Sequence, residues 1–498
     1  MLATVRSANL FGIDGRAVFV ETHLSAGLPS YSVVGLPDTA GRESRERVRA
    51  ALLSSGLAWP MQRITVNLAP ATLRKTGSGL ELAIAIALLV AAGELPDAAV
   101  EGTGVLGELG LDGRVRPVSG VLALVGALAA AGVGRVVVPI ENAAEAALVD
   151  DVEILPASRL ADLRDCLKGE LPWPDVPPPV SPRVRDDDLA DLAEVRGLAA
   201  ARLALTAAAA GGHHVLFAGE PGAGKTMLAR RFTSILPALD HRRALEVTRI
   251  HSVTGLHTSG ALVTAPPLRA PHHSASVAAL VGGGSLGHIR PGEATLAHRG
   301  VLFLDEVAEF APSALDALRQ PLEERVIRVA RAGVMVELPA DFTLVACCNP
   351  CPCGRTDATC RCSDSIRDRY RRRLSAPFLD RFDLRVRVCA PRADEPAGAS
   401  SATVREQVAV ARQRQHHRLA ETRWDRNAHV AARALGELCA VRGAARLRFL
   451  EVCRDLRLSG RGAARVQRVA RTLADLDDVE AISDEHVEIA AGLREDIP

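Results

Sequence analysis

Residues 219–226 read Gly219-Glu220-Pro221-Gly222-Ala223-Gly224-Lys225-Thr226, between the apolar run Val215 to Ala218 and a helical stretch that begins at Met227. A glycine-rich turn joining a strand to a helix is the frame of a phosphate-binding loop. The glycines let successive N–H groups curl around phosphate oxygens, Lys225 reaches the β and γ oxygens, and the Thr226 hydroxyl is placed to hold Mg²⁺. A chance glycine-rich turn would lack the strand before it and the helix after it. All eight residues are therefore candidates for binding a nucleoside triphosphate, with ATP and Mg²⁺ as the expected cofactors.

Downstream, Val301-Leu302-Phe303-Leu304-Asp305-Glu306 is an apolar strand that ends in two carboxylates. After a full phosphate loop, such a strand supplies the other half of a nucleotide hydrolase: Asp305 holds Mg²⁺ through its water shell and Glu306 polarises the attacking water. A third strand, Phe342 to Cys348, ends at Asn349. The amide there either orients the lytic water and senses the γ-phosphate, or simply forms a turn before Pro350. In Pro377-Phe378-Leu379-Asp380-Arg381-Phe382-Asp383, Arg381 is suited to project into a neighbouring subunit's nucleotide, where a fixed guanidinium stabilises the transferring phosphoryl group. The alternative is an intrachain pair with Asp380 or Asp383. Ser459-Gly460-Arg461 opens a helix from which Arg461 is placed to reach the same phosphates from above.

The 498 residues carry 60 basic and 59 acidic side chains, a net charge of +1, so the molecule as a whole does not announce a polyanion partner. The balance is uneven locally: between Val441 and Arg471 nine arginines stand against Glu451 and Asp455 alone, which reads as a basic face or a solvated helical lid. Aromatic residues make up only 3%, which argues against a surface built from stacked bases and leaves phosphate contacts as the expected mode of any nucleic-acid binding. No charged leader with a long apolar core opens the chain, and the apolar run Leu82 to Ala92 is too short to span a bilayer, so the expectation is a soluble cytoplasmic protein without membrane contact.

Six prolines between Pro172 and Pro182, followed by Asp186-Asp187-Asp188, mark residues 169–188 as a stiff linker. Residues 1–168 precede it as a mixed α/β domain. Strands are expected at Ala17 to Thr22, Tyr31 to Val34, Ile64 to Leu68 and Val136 to Pro139, with helices at Glu43 to Ser54 and Gly120 to Ala131. Residues 189–391 alternate strands and helices around the phosphate loop, the pattern of a parallel sheet covered on both faces. Residues 400–498 have helical period throughout, at Val404 to Ala420, Ala431 to Ala440, Arg446 to Leu456, Gly462 to Leu476 and Asp484 to Leu493.

Taken with Gly211-Gly212-His213-His214, Arg269-Ala270-Pro271-His272-His273-Ser274-Ala275-Ser276, Val281-Gly282-Gly283-Gly284, Arg290-Pro291-Gly292-Glu293 and Leu379-Asp380-Arg381-Phe382-Asp383, these elements resemble the YifB/ComM family of magnesium-chelatase-like AAA+ ATPases over nearly the whole chain. The resemblance implies a central AAA+ P-loop NTPase with a parallel sheet and a C-terminal helical lid of the Mg-chelatase type. It also implies a homo-oligomeric ring, a hexamer, in which residues 250–298 carry a hairpin that faces the pore. The paired His272-His273 admits a metal reading, but without a nearby third ligand a turn or pore-loop role is preferred.

The N-terminal stretch carries a second resemblance. Val33-Val34-Gly35-Leu36-Pro37-Asp38, Ile64-Thr65-Val66-Asn67-Leu68-Ala69-Pro70 and Gly107-Glu108-Leu109-Gly110-Leu111-Asp112-Gly113 look like the family's module, which is similar in fold to the Lon protease domain, of the ribosomal S5 domain 2-like type. Lon proteolysis needs a serine activated by a lysine. Aligning Lys75-Thr76-Gly77-Ser78-Gly79 with the serine motif puts Gly79 at the nucleophile, with Ser78 one residue off, and Leu122 where the lysine belongs. An inactive docking domain for a protein partner is the expectation.

The cysteines cluster as Cys347-Cys348-Asn349-Pro350-Cys351-Pro352-Cys353 and Cys360-Arg361-Cys362. Cys351, Cys353, Cys360 and Cys362 either give four thiolates to one tetrahedral Zn²⁺ or stay as free thiols in a reducing compartment; the single-residue spacing within each pair is tighter than usual. For function, the resemblance implies a Mg²⁺-dependent ATPase that remodels or branch-migrates DNA in the manner of the ComM helicases. The alternative is an ATP-driven protein remodeller or chelatase-type chaperone with an inactive Lon-like docking domain.

Overall fold

The computed structural model describes residues 1–35, 39–72, 75, 79–180, 190–256, 260–285, 288–331, 334–355, 360–390 and 395–495. At the N-terminus, seven strands form one sheet in the spatial order Ser30–Val34, Arg63–Ala69, Asp14–Ser25, Leu2–Phe11, Thr103–Val105, Arg135–Pro139, Glu153–Ala157. Leu2–Phe11 and Asp14–Ser25 form an antiparallel hairpin, Asp14–Ser25 also pairs antiparallel with Arg63–Ala69, and the remaining pairs are parallel. Helix Glu81–Ala91 is buried along its whole length, because it lies between the sheet and helix Thr39–Ser54 and must be apolar on every side. That explains why Leu82 to Ala92 reads almost like a membrane segment; among the described residues no helix is long and apolar enough to cross a bilayer. Each N-terminal element expected from the sequence is present within a few residues, and strands Leu2–Phe11, Thr103–Val105 and Glu153–Ala157 are additions to the sheet.

In the central region five parallel strands lie in the order Leu268–Arg269, Val301–Leu304, Thr343–Cys348, Val215–Ala218, Leu384–Arg387. Val215–Ala218, Val301–Leu304 and Thr343–Cys348 are buried at every position, which is why they read as unbroken apolar runs rather than alternating ones. Two antiparallel hairpins stand off this sheet. One pairs Gly283–Ser285 with His288–Arg290, inside the stretch expected to carry a hairpin. The other pairs Val326–Arg331 with Val334–Pro339 and was not singled out in the sequence, although the alternation in Val326-Ile327-Arg328-Val329-Ala330-Arg331 on one side of Ala332-Gly333 is a hairpin signal.

The N-terminal unit rests on this second hairpin. Gly12, at the tip of the first β-hairpin, has φ +66 and lies so close to Val336 that a Cβ would collide with its Cγ1, while Phe11 and Ile13 on either side join the central core. Helix Val121–Ala130 packs along helix His241–Val253, and the Gly120 N–H donates to the Ser252 carbonyl at 3.2 Å. The proline-rich stretch begins as a strap rather than a free spacer: Trp173 packs on the N-terminal core and the Cys166 thiol donates to the Pro172 carbonyl at 3.4 Å. Residues 181–188 of the expected linker lie outside the described residues.

The C-terminal region is helical, with Ser401–Leu419, Gly443–Asp455, Gly460–Leu476 and Asp484–Gly492 as its main elements. The helix expected over Ala431 to Ala440 is replaced by short turns at Ala432–Ala434 and Leu435–Leu438. The segment is tied to the neighbouring helix by side chains: Gln467 Nε2 donates to the Leu435 and Cys439 carbonyls, and Arg468 Nε donates to Val430 just before it. The arginines of this region do not form one basic face. Arg465 and Arg471 are buried, Arg471 is bound to the Val479 and Glu480 carbonyls and to Asp475, and Arg448 pairs with Glu451 and Glu488.

The helical region is fastened to the sheet by a buried polar chain. His213 Nδ1 lies 3.0 Å from Asp383 Oδ2, its Nε2 lies 2.8 Å from Thr472 Oγ1, and Asn427 Nδ2 donates to the same Thr472 oxygen at 3.0 Å. Gly211 makes room for it, since a Cβ there would strike the His213 ring, and Gly212 ends the preceding helix at φ +75. Burial alone would push the Asp383 carboxyl up; the hydrogen bond and charge of His213, with Arg465 and Arg468, outweigh it and hold Asp383 well below the usual carboxylate range. Next to it, burial pushes His214 down to about 4, and its Nδ1 accepts the Leu344 N–H at 3.0 Å, which requires the neutral ring. A histidine depressed in the folded state contributes stability that is full above its unfolded pKa of about 6.5 and is lost as pH falls toward its folded value. Thermal unfolding followed from pH 7 to pH 4 is expected to show a loss of stability through this window, and His214→Gln, which keeps an acceptor but cannot titrate, should flatten that part of the profile by about 3 kcal/mol.

Candidate nucleotide site

The phosphate loop, the two carboxylates and Asn349 gather at the carboxyl edge of the parallel sheet. The phosphate loop leaves strand Val215–Ala218 there, Asp305 and Glu306 follow Val301–Leu304, and Asn349 follows Thr343–Cys348. Gly222 and Gly224 have φ of +81 and +92, conformations open to glycine, and Gly219 packs so tightly on the Val388 carbonyl that a Cβ would clash. The Lys225 ammonium is buried and donates to the carbonyls of Gly219 at 2.6 Å and Glu220 at 2.8 Å and to Asn349 Oδ1 at 3.1 Å. Burial lowers its pKa from the ordinary lysine value, with the nearby thiols and carboxylates opposing. Behind it, burial pushes the Cys347 thiol well above its ordinary value and Cys348 up to about 12, so both are neutral walls of the site.

Thr226 Oγ1 donates to Asp305 Oδ2 at 2.9 Å, which brings together the two groups expected to hold Mg²⁺. Glu306 is exposed and adopts the left-handed conformation, φ +50, with its own N–H donated to Asp305 Oδ1 at 3.0 Å. This turn aims the two adjacent carboxylates in different directions, one toward the threonine and one toward solvent. Glu306 Oε2 lies 4.0 Å from His273 Nδ1. The His272 and His273 rings stack with centroids 4.0 Å apart, and His272 Nδ1 lies 2.9 Å from Ser274 Oγ, so the histidine pair forms a turn with His273 turned to the acidic pair. That proximity was not readable from the sequence. The segment is anchored on either side by Arg269, whose Nε and Nη2 bind Glu293 at 2.6 and 2.9 Å.

Arg381 sits elsewhere. It precedes strand Leu384–Arg387, at the amino edge of the sheet, where a cavity of about 580 Å³ is lined by Arg381, Arg461, Arg465, Arg468 and Arg325. Its intrachain partner is Glu323, at 2.7 Å, rather than Asp380 or Asp383, which are drawn to Arg465. Arg381 Nε is buried without a hydrogen-bond partner among the described residues, and burial lowers its pKa. Arg461 lines the same cavity from the opening of helix Gly460–Leu476. Since the strands between the two edges are parallel and four to six residues long, or roughly 13–20 Å, the two arginines are separated from the phosphate loop of their own chain.

The four outer cysteines converge. The Sγ atoms of Cys351, Cys353, Cys360 and Cys362 all lie within 4.8 Å of one another, with Cys351 and Cys353 at 3.2 and 3.5 Å from Cys360. Four thiolates about 2.3 Å from one tetrahedral zinc would stand about 3.8 Å apart, so the set fits the ion. An Arg355 N–H donated to its sulfur brings the Cys353 thiol down to about 6, whereas burial pushes Cys351 up to about 12. The other convergent group, Asp341, Asp425 and His429, is neutralised by arginines: Arg299 bonds Asp341 at 2.6 Å and Arg243 bonds Asp425 at 3.0 Å, leaving an ion-pair network rather than a cation cradle.

In the N-terminal unit no serine–lysine pair is assembled among the described residues. Leu122 is buried in helix Val121–Ala130, Ser78 lies outside the described residues, and the Lys75 ammonium is buried against the carbonyls of Pro70 and Gly35.

Known families match these regions in turn. The magnesium chelatase subunit ChlI family matches residues 191–395, the family described as subunit ChlI of Mg-chelatase matches 20–142, and the ChlI C-terminal family matches 398–494. The competence protein ComM of Haemophilus influenzae is 39% identical over 503 residues, covering 99% of this chain and 97% of its own. The chain belongs to the YifB/ComM family of magnesium-chelatase-like AAA+ proteins. Within that family the uncharacterized protein YifB of Salmonella typhimurium is also 39% identical, over 502 residues, with 99% and 97% of the two chains covered. An uncharacterized protein of Mycobacterium tuberculosis is 46% identical over 476 residues, 93% of each chain.

For an AAA+ protein with this arrangement, Glu306→Gln is expected to retain ATP binding and to hydrolyse ATP at least ~100-fold more slowly, as loss of a positioned base predicts. Turnover measured beside a fluorescent-nucleotide titration separates the two effects, and near-normal turnover would remove Glu306 from that role.

Proposed function

We propose that this chain is a Mg²⁺-dependent ATPase that works as a homo-oligomeric ring, a hexamer, and remodels DNA by driving branch migration. The observation that carries the ring is the separation of the two halves of the chemistry. Lys225, Thr226, Asp305, Glu306 and Asn349 stand at the carboxyl edge of the sheet, and Arg381 and Arg461 line a cavity at the amino edge. A loose phosphoryl-transfer transition state needs cationic groups around the γ-phosphate, and only a second copy can bring these arginines to a loop they face away from in their own chain. In this reading Gly219 to Thr226 cradle ATP, Thr226 and Asp305 hold Mg²⁺, Glu306 is the base, Asn349 orients the water, and Arg381 with Arg461 completes the neighbour's site.

DNA as the substrate rests on the family relationship, in which one relative is named a competence protein, and on the hairpins Gly283–Arg290 and Val326–Pro339 that stand off the sheet. The N-terminal unit, with Leu122 at the lysine position and the Lys75 amine occupied by carbonyls, is read as a docking platform rather than a protease. Cys351, Cys353, Cys360 and Cys362 are read as the ligands of one Zn²⁺.

Two measurements test the motor. Arg381→Ala and Lys225→Ala should each be inactive alone; mixed in equal amounts they should recover about a quarter of the wild-type rate, since an intact loop then meets an intact arginine at a quarter of random interfaces. No recovery, or full turnover by a monomer, would sink the shared site. Forked or four-way-junction DNA should stimulate ATP hydrolysis, with binding weakened at least ~10-fold between 50 and 200 mM salt. A flat response across DNA structures, with stimulation by a polypeptide instead, would turn the assignment toward a protein remodeller.

A further inference from the structure

The cysteine cluster does not stand apart from the nucleotide site. The strand that ends at Asn349 is hydrogen-bonded to the phosphate loop, the Gly219 N–H donating to the Cys348 carbonyl at 3.2 Å, and Asn349 itself accepts from Lys225 at 3.1 Å. Two residues on, Cys351 turns inward and is buried, and its carbonyl accepts the Gly354 N–H at 2.8 Å, closing a tight turn across Pro352 and Cys353. Gly354 is buried at φ +76 directly against Pro221, the third residue of the phosphate loop. A Cβ on Gly354 would stand 2.6 Å from Pro221 Cγ and 2.8 Å from its Cδ. The turn that carries two of the four sulfurs therefore abuts the outer side of the loop whose inner side receives the phosphates.

A surface turn of this length has no apolar core of its own, and without a cation only weak thiol contacts hold the four sulfurs together. A bound ion, displacing the thiol protons, converts those contacts into a rigid cross-link between Cys351/Cys353 and Cys360/Cys362. Pro221 lacks an N–H and is exposed, so packing on Gly354 supports this part of the loop from outside, beside the backbone bonds that curl it. We infer that the four-cysteine site holds a zinc ion that braces the phosphate loop through Gly354 and Pro221, making nucleotide affinity depend on the metal. This rests on the nucleotide and zinc assignments above and adds a coupling between them.

The coupling is tested on the full-length chain by metal analysis together with titration of a fluorescent ATP analogue at saturating Mg²⁺. One zinc per chain is expected. Removal by a zinc-selective chelator should weaken nucleotide binding about tenfold or more, with recovery when zinc is restored, while the far-ultraviolet circular dichroism stays that of the folded chain. Gly354→Ala, which keeps all four sulfurs but presses on Pro221, should retain zinc and still lose nucleotide affinity by a similar factor. A merely structural zinc would not be bypassed in this way. Unchanged affinity in both the zinc-free protein and Gly354→Ala overturns the brace. A chain purified without zinc overturns it as well, and leaves the nucleotide assignment standing on the loss of binding in Lys225→Ala.

Discussion

Burial of the central sheet on both faces is the constraint on which the rest depends. Val215–Ala218, Val301–Leu304 and Thr343–Cys348 have no exposed position, so they can carry no functional polar group along their length. Every charged or hydrogen-bonding side chain of the motor is thereby displaced to the two rims of the sheet. At one rim the chain turns supply a curled loop, two adjacent carboxylates and an amide. At the other they supply arginines. The parallel direction of all five strands keeps these two sets apart within the chain, a consequence of the sheet's geometry rather than of any single residue.

The helical region is positioned by polar rather than apolar specificity. His213 reads as a motif residue in the sequence, yet its ring is fully buried between Asp383 from the sheet and Thr472 from the lid helix, and Gly211 clears the space it occupies. An ion-pair network of Arg299, Asp341, Asp425 and His429 repeats the arrangement nearby. Such buried contacts are costly unless every partner is in place, so they select one orientation of the lid against the sheet. That orientation sets where Arg461 opens its helix, and hence that it shares a cavity with Arg381.

Much of this was legible in the sequence because it is encoded locally. A phosphate loop needs glycines at fixed steps and an apolar strand before it, and both are contiguous in the chain. Two antiparallel strands of the N-terminal unit, Asp14–Ser25 and Arg63–Ala69, show alternation, and the buried central strands show unbroken apolar runs. The failures are equally physical. Ala431 to Ala440 has helical composition, but it is pinned to helix Gly460–Leu476 by Gln467, a residue no local pattern connects to it. The nine arginines looked like one charged face, whereas Arg465 and Arg471 are buried against carbonyls and carboxylates, as only the packing of that helix could reveal. The hairpin of Val326–Arg331 with Val334–Pro339 is legible by period in its first strand.

The sequence by itself determined the family, the element types and the chemistry of the loop at 219–226, because each is written in residues close together along the chain. Tertiary structure decided what meets what. It set His273 beside Glu306, brought four sulfurs from both sides of a loop within 4.8 Å, laid Gly354 on Pro221, and placed Arg381 at the rim away from its own phosphate loop. These are contacts between residues distant in sequence or on opposite ends of strands, fixed by sheet order and side-chain packing. A linear pattern carries no record of distance across a fold.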